Sequence, residues 1–331
     1  VHSHVHADVL IAGGGPAGLA AALAASASGK RVILADEQDR PGGRLLHDTT
    51  STIDGLPARA WVARTLEELG HRENVRILSR TTVFGHFNHN HIALCERLTD
   101  HLRQPPPGQA RERLWQVRAG QVIVATGAHE RPLVFANNDR PGIMLADALR
   151  CYMNRYAVTP GRNIVVATNG ASAYETALDA KAHGLFVTIV DYRTRDQIGR
   201  ERELAARAGI EILDNHTVLG TTGRAQVTGI TVAPKTASGG VGDARTLACS
   251  AVAMSGGWTP VVHLFSQARA KLDFDAAIDA FVPGASTSGT MSAGASRGRY
   301  GLAECISDGF DAGGRAGGAA PCSGPKFAGP V

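Results

Sequence analysis

Apolar runs of four to six residues alternate with alanine-rich helical stretches and glycine turns along most of the chain. Two segments repeat one plan: a short apolar strand, a loop, a helical pattern, a Gly, and a second apolar strand ending in an acid. The first is DVLIAGGGPAGLAAALAASASGKRVILADE from Asp8 to Glu37, and the second is NIVVATNGASAYETALDAKAHGLFVTIVDY from Asn163 to Tyr192. Gly13 to Asp36 spans 23 residues and Ala167 to Asp191 spans 24. Each segment reads as a βαβ unit whose second strand lies beside the first, bringing the terminal acid near the mouth of the loop. Around them, VRILSRTTVFG, HIALCERL and RLWQVRAGQVIVATG read as strands, with QPPPGQ marking a hairpin that returns to the first sheet. A late helix is predicted over Tyr300 to Arg315.

The pattern predicts an α/β protein: two Rossmann-like βαβ nucleotide-binding domains of the FAD/NAD(P)-binding flavoprotein type, the second inserted in the first. The expected boundaries are 1–160 for the first domain, 161–285 for the second, 286–318 for the return to the first, and 319–331 for a flexible tail rich in Gly and Pro.

GGGPAG matches G-x-G-x-x-G at Gly13, Gly15 and Gly18. The string is weak alone, but here it follows a strand, opens an alanine-rich helix and is answered by Asp36 at the ribose spacing. Gly13 permits the tight turn, Gly15 admits a pyrophosphate to the backbone, and Gly18 lets helix and strand pack closely. Pro16 and Ala17 open the helix. Asp36 is expected to accept hydrogen bonds from ribose hydroxyls and to repel a 2′-phosphate, which favours NAD or FAD over NADP. PGGRLL, with Gly43 and Arg44, and VIVATGA, with Ala125, Thr126 and Gly127, add support as places where the chain returns beside a cofactor. In the second unit Ala167, Asn169 and Ser172 replace the three glycines, which predicts that this site has lost its nucleotide. A weakly binding second site, with Asn169 tolerating the left-handed turn, stays open as the other possibility.

The chain is 331 residues long, 44% apolar and 19% charged, which is ordinary globular composition. Its formal charge is +4, and apart from five lysines the bases are arginines dispersed among acids, a solvated pattern that argues against nucleic-acid binding. Five widely spaced cysteines with no C-x-x-C exclude a dithiol exchange pair and a thiolate metal cluster, and predict a reducing, cytoplasmic setting. No apolar run reaches a membrane span. His2, His4 and His6, like His89 and His91, could share one face of an extended segment, yet no acid or cysteine completes either set, so no metal site is expected. His129 and Glu130 could act as acid and base, and no catalytic residue is assigned. Arg131, Asp139 and Arg140 fit either a phosphate or partner contact or a structured loop.

The block ATGAHERPLVFANNDRPGIMLADALRCYMNRY, Ala125 to Tyr156, together with ILADEQ and VATNGASAYETALDAK, resembles the α subunit of heterotetrameric sarcosine oxidase from about His4 to Gly318. The resemblance implies the NAD-binding region of a complex with β, γ and δ subunits. That complex oxidises sarcosine, or a related secondary amine, to glycine and passes the one-carbon unit to tetrahydrofolate. It implies FAD and FMN elsewhere in the complex and NAD held here as a fixture, with this chain alone inactive. Carried over by position, Gly13, Gly15, Asp36, Glu37, Gln38, Gly43, Arg44, Thr126 and Gly127 would line the NAD site. Thr82 and Val83 would offer backbone groups to the adenine, and Gly294 would lie near the second half of the ligand. Flavin folds of this kind carry Gly-Asp where Gly294 and Ala295 stand, and the missing Asp favours NAD over FAD. The alternatives are a stand-alone FAD-dependent NAD(P)H oxidoreductase and a non-catalytic assembly module stabilised by its nucleotide.

Overall fold

A computed structural model describes residues 1–286 and 289–318, and the backbone of 327–328. The expected flexible tail, 319–331, lies almost wholly outside the described residues. The chain divides into two compact units, 1–129 with 259–331, and 130–258.

The first unit opens with β1 (His2–Ala12), α1 (Pro16–Ser26) and β2 (Val32–Ala35). A small turn formed by β3 (Thr52–Ile53) and β4 (Leu56–Pro57) leads into α2 (Ala58–Gly70) and β5 (Val75–Leu78), after which β6 (Thr81–Phe87), β7 (His91–Arg97) and β8 (Glu112–Val124) form a meander. The sheet order is β5-β2-β1-β8-β7-β6, with β1, β2 and β5 parallel and β7 antiparallel to β8. VRILSRTTVFG therefore makes two strands rather than one. Arg80 takes φ +53 and turns the chain out of the parallel pairing with β2 into the antiparallel pairing with β7.

The chain leaves this unit through β9 (Ala128–Glu130). In the second unit β10 (Ile143–Leu145), α3 (Ala146–Tyr156), β11 (Asn163–Thr168), α4 (Ser172–Ala182), β12 (Phe186–Asp191), α5 (Arg200–Arg207) and β13 (Glu211–Leu213) precede an antiparallel group, β14 (His216–Thr222), β15 (Gly229–Pro234) and β16 (Arg245–Ala248). Then β17 (Ala251–Ser255) inserts between β10 and β11, giving a parallel sheet in the order β10-β17-β11-β12-β13. Helical side chains such as Leu149, Tyr174 and Ala205 fill one face of that sheet. Val227, Ile230 and Val232 fill the other against Val165 and Val190.

The chain returns through β18 (Trp258–Pro260) to α6 (His263–Gln267), the hairpin β19 (Leu272–Asp275) and β20 (Ala280–Pro283), then β21 (Thr290–Ser292) and α7 (Leu302–Gly317). The second unit thus covers 130–258 where the sequence suggested 161–285. Its first strand, β10, is only three residues long and pairs with β17 from far along the chain, so no local pattern announces it. At the other end, Leu264 of α6 is buried with residues of the first sheet.

α1 is buried on nearly every side. Alanine suits a helix intrinsically, but its burial depends on α7, which lays Gly309 and Gly313 against the backbone carbonyls of Ala17 and Ala21. A Cβ at either glycine would overlap those carbonyls. Among the described residues no helix is long and apolar enough to cross a membrane.

Candidate functional site

The first glycine loop sits between the carboxyl ends of β1, β2 and β8. Gly13 donates its N–H to Ala35 O (2.8 Å), and Ala125 donates to Ala12 O (2.8 Å), so three strand ends converge on the loop. Gly13 takes φ +102, and a Cβ there would overlap Ala125 O and come within 3.3 Å of Thr126 Cα. A Cβ on Gly18 would overlap Gly13 O, and one on Gly14 would lie 2.7 Å from Pro41 Cβ. These glycines are demanded by the protein's own packing. Gly15 is different. It has φ −73 and ψ −170, which any residue adopts, and a Cβ on it meets no heavy atom within 4 Å. Nothing inside the described protein asks for glycine there, so the open space on its outer side is the feature a ligand would use.

Gly15 is also the N-cap of α1, with Pro16 and Ala17 following, and no side chain caps the helix end. Its first N–H groups and the positive end of its dipole are therefore available to an anion. The PGGRLL segment closes one side. Gly42 donates to Gly14 O (2.7 Å), and a Cβ on Gly43 would be 3.0 Å from Gly15 Cα, with Arg44 next in the turn. Gly127, at φ +75, has open space beside it, and Thr126 Oγ1 donates to Val261 O (2.8 Å).

Asp36 stands at the end of β2 and is 8% exposed. Its Oδ2 accepts the Gly14 N–H (2.6 Å) and its Oδ1 accepts the Gln38 N–H (2.8 Å). The carboxylate thus ties the glycine loop to the following turn, a role the sequence did not disclose. Around it Glu37 O accepts from Arg97 Nη2 (2.6 Å), Gln38 O accepts from the Arg80 N–H (2.7 Å), and Asp36 O accepts from the Thr81 N–H (2.8 Å). Thr82 and Val83 follow directly, but inside β6 and paired with Cys95 and Leu94 rather than at a strand end.

Gly294, at φ +72, lies against α1: a Cβ there would be 2.7 Å from Ala17 Cβ. Its N–H donates to Asp308 Oδ2 (2.7 Å), and Asp308 also pairs with Arg297. A carboxylate, absent at position 295, thus reaches Gly294 from α7, nearly two turns into the helix. The only sequence signal was the phrase ISDG in the late helix.

In the second unit the terminal acid and the start of the helix are bonded within the protein itself. Asp191, fully buried at the end of β12, accepts the Tyr174 phenol on Oδ2 (2.8 Å) and the Arg193 guanidinium and backbone N–H on its two oxygens (2.8–3.2 Å). Burial, and then the adjacent Asp191 charge, push the Tyr174 phenol far above its ordinary range. At the start of α4, Ser172 Oγ accepts the Trp258 indole N–H (3.0 Å). Ala167 is fully buried. The carboxylate that would meet a ribose is already engaged.

The remaining candidates resolve simply. Glu130 Oε2 accepts the Asp147 N–H (2.8 Å) in the first turn of α3, a helix-capping role. Arg131 Nη2 donates to Trp258 O (3.0 Å), and Arg140 donates to Thr221. Burial pushes the Cys249 and Cys305 thiols up to about 11, so both are protonated near neutrality and poor nucleophiles. Among the described residues no group of three or more His, Cys, Asp or Glu is placed to hold a metal ion.

Comparison with known proteins agrees with this geometry. The chain matches the pyridine nucleotide-disulphide oxidoreductase family over residues 7–282. It is 43% identical over 311 residues to the sarcosine oxidase subunit alpha of Corynebacterium sp. (strain P-1), a match covering 93% of this chain and 32% of that protein. It is 41% identical to the sarcosine oxidase subunit alpha of Rhizobium meliloti (strain 1021), covering 93% and 30%. The chain thus spans about a third of the length of the curated relatives it matches. Among solved structures, thioredoxin reductase from T. acidophilum superposes with a TM-score of 0.72 at 19% identity, over 94% of this chain and 97% of that one. That likeness speaks for the fold alone. By its matched profile and its two nucleotide-type units, the chain belongs to the pyridine nucleotide-disulphide oxidoreductase family, whose fold binds FAD or NAD(P).

Proposed function

We propose that this chain is the NAD-holding region of a sarcosine oxidase-like α subunit, working within a complex that oxidises sarcosine or a related secondary amine. The observation that carries the reading is the contrast between the two loops. In the first, Gly15 leaves open space over an uncapped helix end beside Asp36. In the second, Asn169 stands at the place of Gly15, and the acid Asp191 is already bonded to Tyr174 and Arg193, as Ser172 is to Trp258. A chain with one dinucleotide slot has no partner slot for a hydride relay, which suits a nucleotide kept as a fixture.

In this reading the pyrophosphate meets the α1 N-terminus at Gly15, Pro16 and Ala17, and Asp36 takes the adenosine ribose while its charge disfavours a 2′-phosphate. Gly43, Arg44, Thr126 and Gly127 line the sides, Thr82 and Val83 lie toward the adenine, and Gly294 lies toward the second nucleotide. NAD when bound supplies a nicotinamide able to exchange hydride; the chain's own residues bind, orient and shield it. Amine oxidation, FAD, FMN, the tetrahydrofolate step and the β, γ and δ subunits belong to the wider complex, so the isolated chain is expected to show no sarcosine oxidation. FAD in the same slot is a second reading. Asp308 favours it by placing a carboxylate beside Gly294, although Arg297 neutralises that charge.

Titrating nucleotide-stripped protein with NAD, NADP and FAD tests the assignment. NAD should bind at least about tenfold more tightly than NADP, a difference of about 1.4 kcal/mol. Equal affinity for the two would remove the role given to Asp36, and tighter binding of FAD would transfer the slot to the flavin.

A further inference from the structure

The sequence LDFDAAIDAFVP, Leu272 to Pro283, folds as the hairpin of β19 and β20 in the first unit. Leu272 lies opposite Pro283, Asp273 opposite Val282, Phe274 opposite Phe281 and Asp275 opposite Ala280. Directly opposed residues point to the same side of a ribbon, and neighbours along a strand point to opposite sides. Leu272, Phe274, Phe281 and Pro283 therefore share one face, and Asp273, Asp275, Ala280 and Val282 share the other. The second face is the one that meets the protein. Ala280 is buried, and a Cβ on Gly298 would lie 3.3 Å from Val282 Cγ1 and 2.8 Å from Ile278 Cδ1 of the connecting turn. The wholly apolar face is turned outward. Phe274 and Phe281 are 56% and 55% exposed, with ring centroids 5.4 Å apart in an edge-on pair. Scattered exposed phenylalanines would call for no explanation, but these are cross-strand partners on a face shared with Leu272 and Pro283, and more than half of each residue's surface stays in water.

Two features define what covers this face. The first is an open edge: among the described residues β19 pairs with β20 alone, so its other edge can accept an incoming strand. The second is charge. From Leu272 to Pro283 there are three aspartates, Asp273, Asp275 and Asp279, and no Lys, Arg or His, with Lys271 just before the first strand, on a chain whose formal charge is +4. A strand added to β19 sets one row of its side chains beside Leu272 and Phe274 and the alternate row beside Asp273 and Asp275. Apolar residues suit the first row, and Lys or Arg suits the second. A second copy of this chain meeting through the same ribbon would instead set aspartate against aspartate.

From these we infer that the open edge of β19 takes up an extended segment of another polypeptide whose side chains alternate apolar and basic, covering Phe274 and Phe281. The inference depends neither on the nucleotide in the first unit nor on the amine oxidised. The probe is a short fluorescein-labelled peptide of alternating Val and Lys, titrated into the full chain by fluorescence anisotropy. Two further peptides serve as controls, one with Glu in place of Lys and one with the same residues arranged in blocks. The expected result is saturable binding of the alternating Val-Lys peptide at a single site per chain, weakening as salt rises, with both controls bound at least about tenfold less tightly. Phe274→Ser, at an exposed position, should weaken the Val-Lys peptide by about tenfold or more. Asp273→Asn, which leaves the aromatic pair in place, should weaken it and flatten its salt dependence. Both variants should keep the far-UV circular dichroism and melting temperature of the parent. Absence of binding, equal binding of the Glu peptide, or affinity unaltered in Phe274→Ser would each overturn the proposal. A dimer of the parent chain that Phe274→Ser dissociates would overturn it as well, since the occupant would then be a second copy. If Phe274→Ser melts well below the parent, Asp273→Asn and its salt dependence decide the matter.

Discussion

Replacing Gly15 with alanine separates what the fold needs from what a ligand needs. The added methyl meets no heavy atom within 4 Å, and the backbone at φ −73, ψ −170 accepts it without strain. Removing a glycine from the unfolded ensemble at a compatible site stabilises by about 0.4–1 kcal/mol, which corresponds to a rise in melting temperature of roughly 0.5–1.5 °C for a chain of this size. Binding should move the other way. If the methyl displaces one hydrogen bond from backbone to phosphate, a charge-assisted bond contributing about 1.5–3 kcal/mol, the dissociation constant for NAD rises by roughly 10- to 150-fold. Gly13→Ala is the companion control. At φ +102, with a Cβ overlapping Ala125 O, it should destabilise the protein by more than about 2 kcal/mol. Thermal unfolding of ligand-free protein and calorimetric titration with NAD measure both effects. A Gly15→Ala variant that binds NAD within about twofold of the parent, or that melts well below it, would refute the reasoning.

Gly313→Val drives a side chain into the Ala21 carbonyl and should lower stability by about 1–3 kcal/mol or more, seen as loss of melting temperature; an unchanged melt would mean that α1 and α7 do not depend on backbone contact. Tyr174→Phe takes a hydrogen bond from the buried Asp191 and should cost about 1–3 kcal/mol, with NAD affinity unchanged because the second loop holds no dinucleotide; weakened NAD binding would contradict that. His86, 3% exposed, is held below its ordinary value of 6.5 by burial, with the Asn90 hydrogen bond opposing in part. The unfolded chain therefore takes up the proton first as pH falls below 6.5, so stability declines from there toward the lower folded value. Melting curves between about pH 7 and pH 5 should show this decline, and His86→Gln should flatten it; equal slopes in both proteins would remove His86 from the account.

Features carried by contiguous residues were legible in the sequence. The strand, glycine loop, helix and acid at Val9 to Asp36 form one βαβ unit, because every part of that motif is local and each residue type answers a local steric demand. Substitution of the second loop was equally legible at Ala167, Asn169 and Ser172. What engages Asp191 and Ser172 was not, because Tyr174 and Arg193 reach Asp191 across a helix and a turn, and Trp258 arrives from far along the chain. Asp308 was missed for the same reason: a family pattern places its carboxylate next to Gly294 in sequence, whereas here it comes from a helix that lies beside Gly294 only after folding. The early limit of the second unit was obscured because β10 gains its meaning from β17.

The central claim is that the first unit holds NAD rather than a flavin. Denaturing the purified protein and identifying the released small molecule by absorbance and mass tests it most directly. The account predicts NAD in near-stoichiometric amount with no flavin absorbance; release of FAD would contradict it and would assign Asp36 and Asp308 to a flavin.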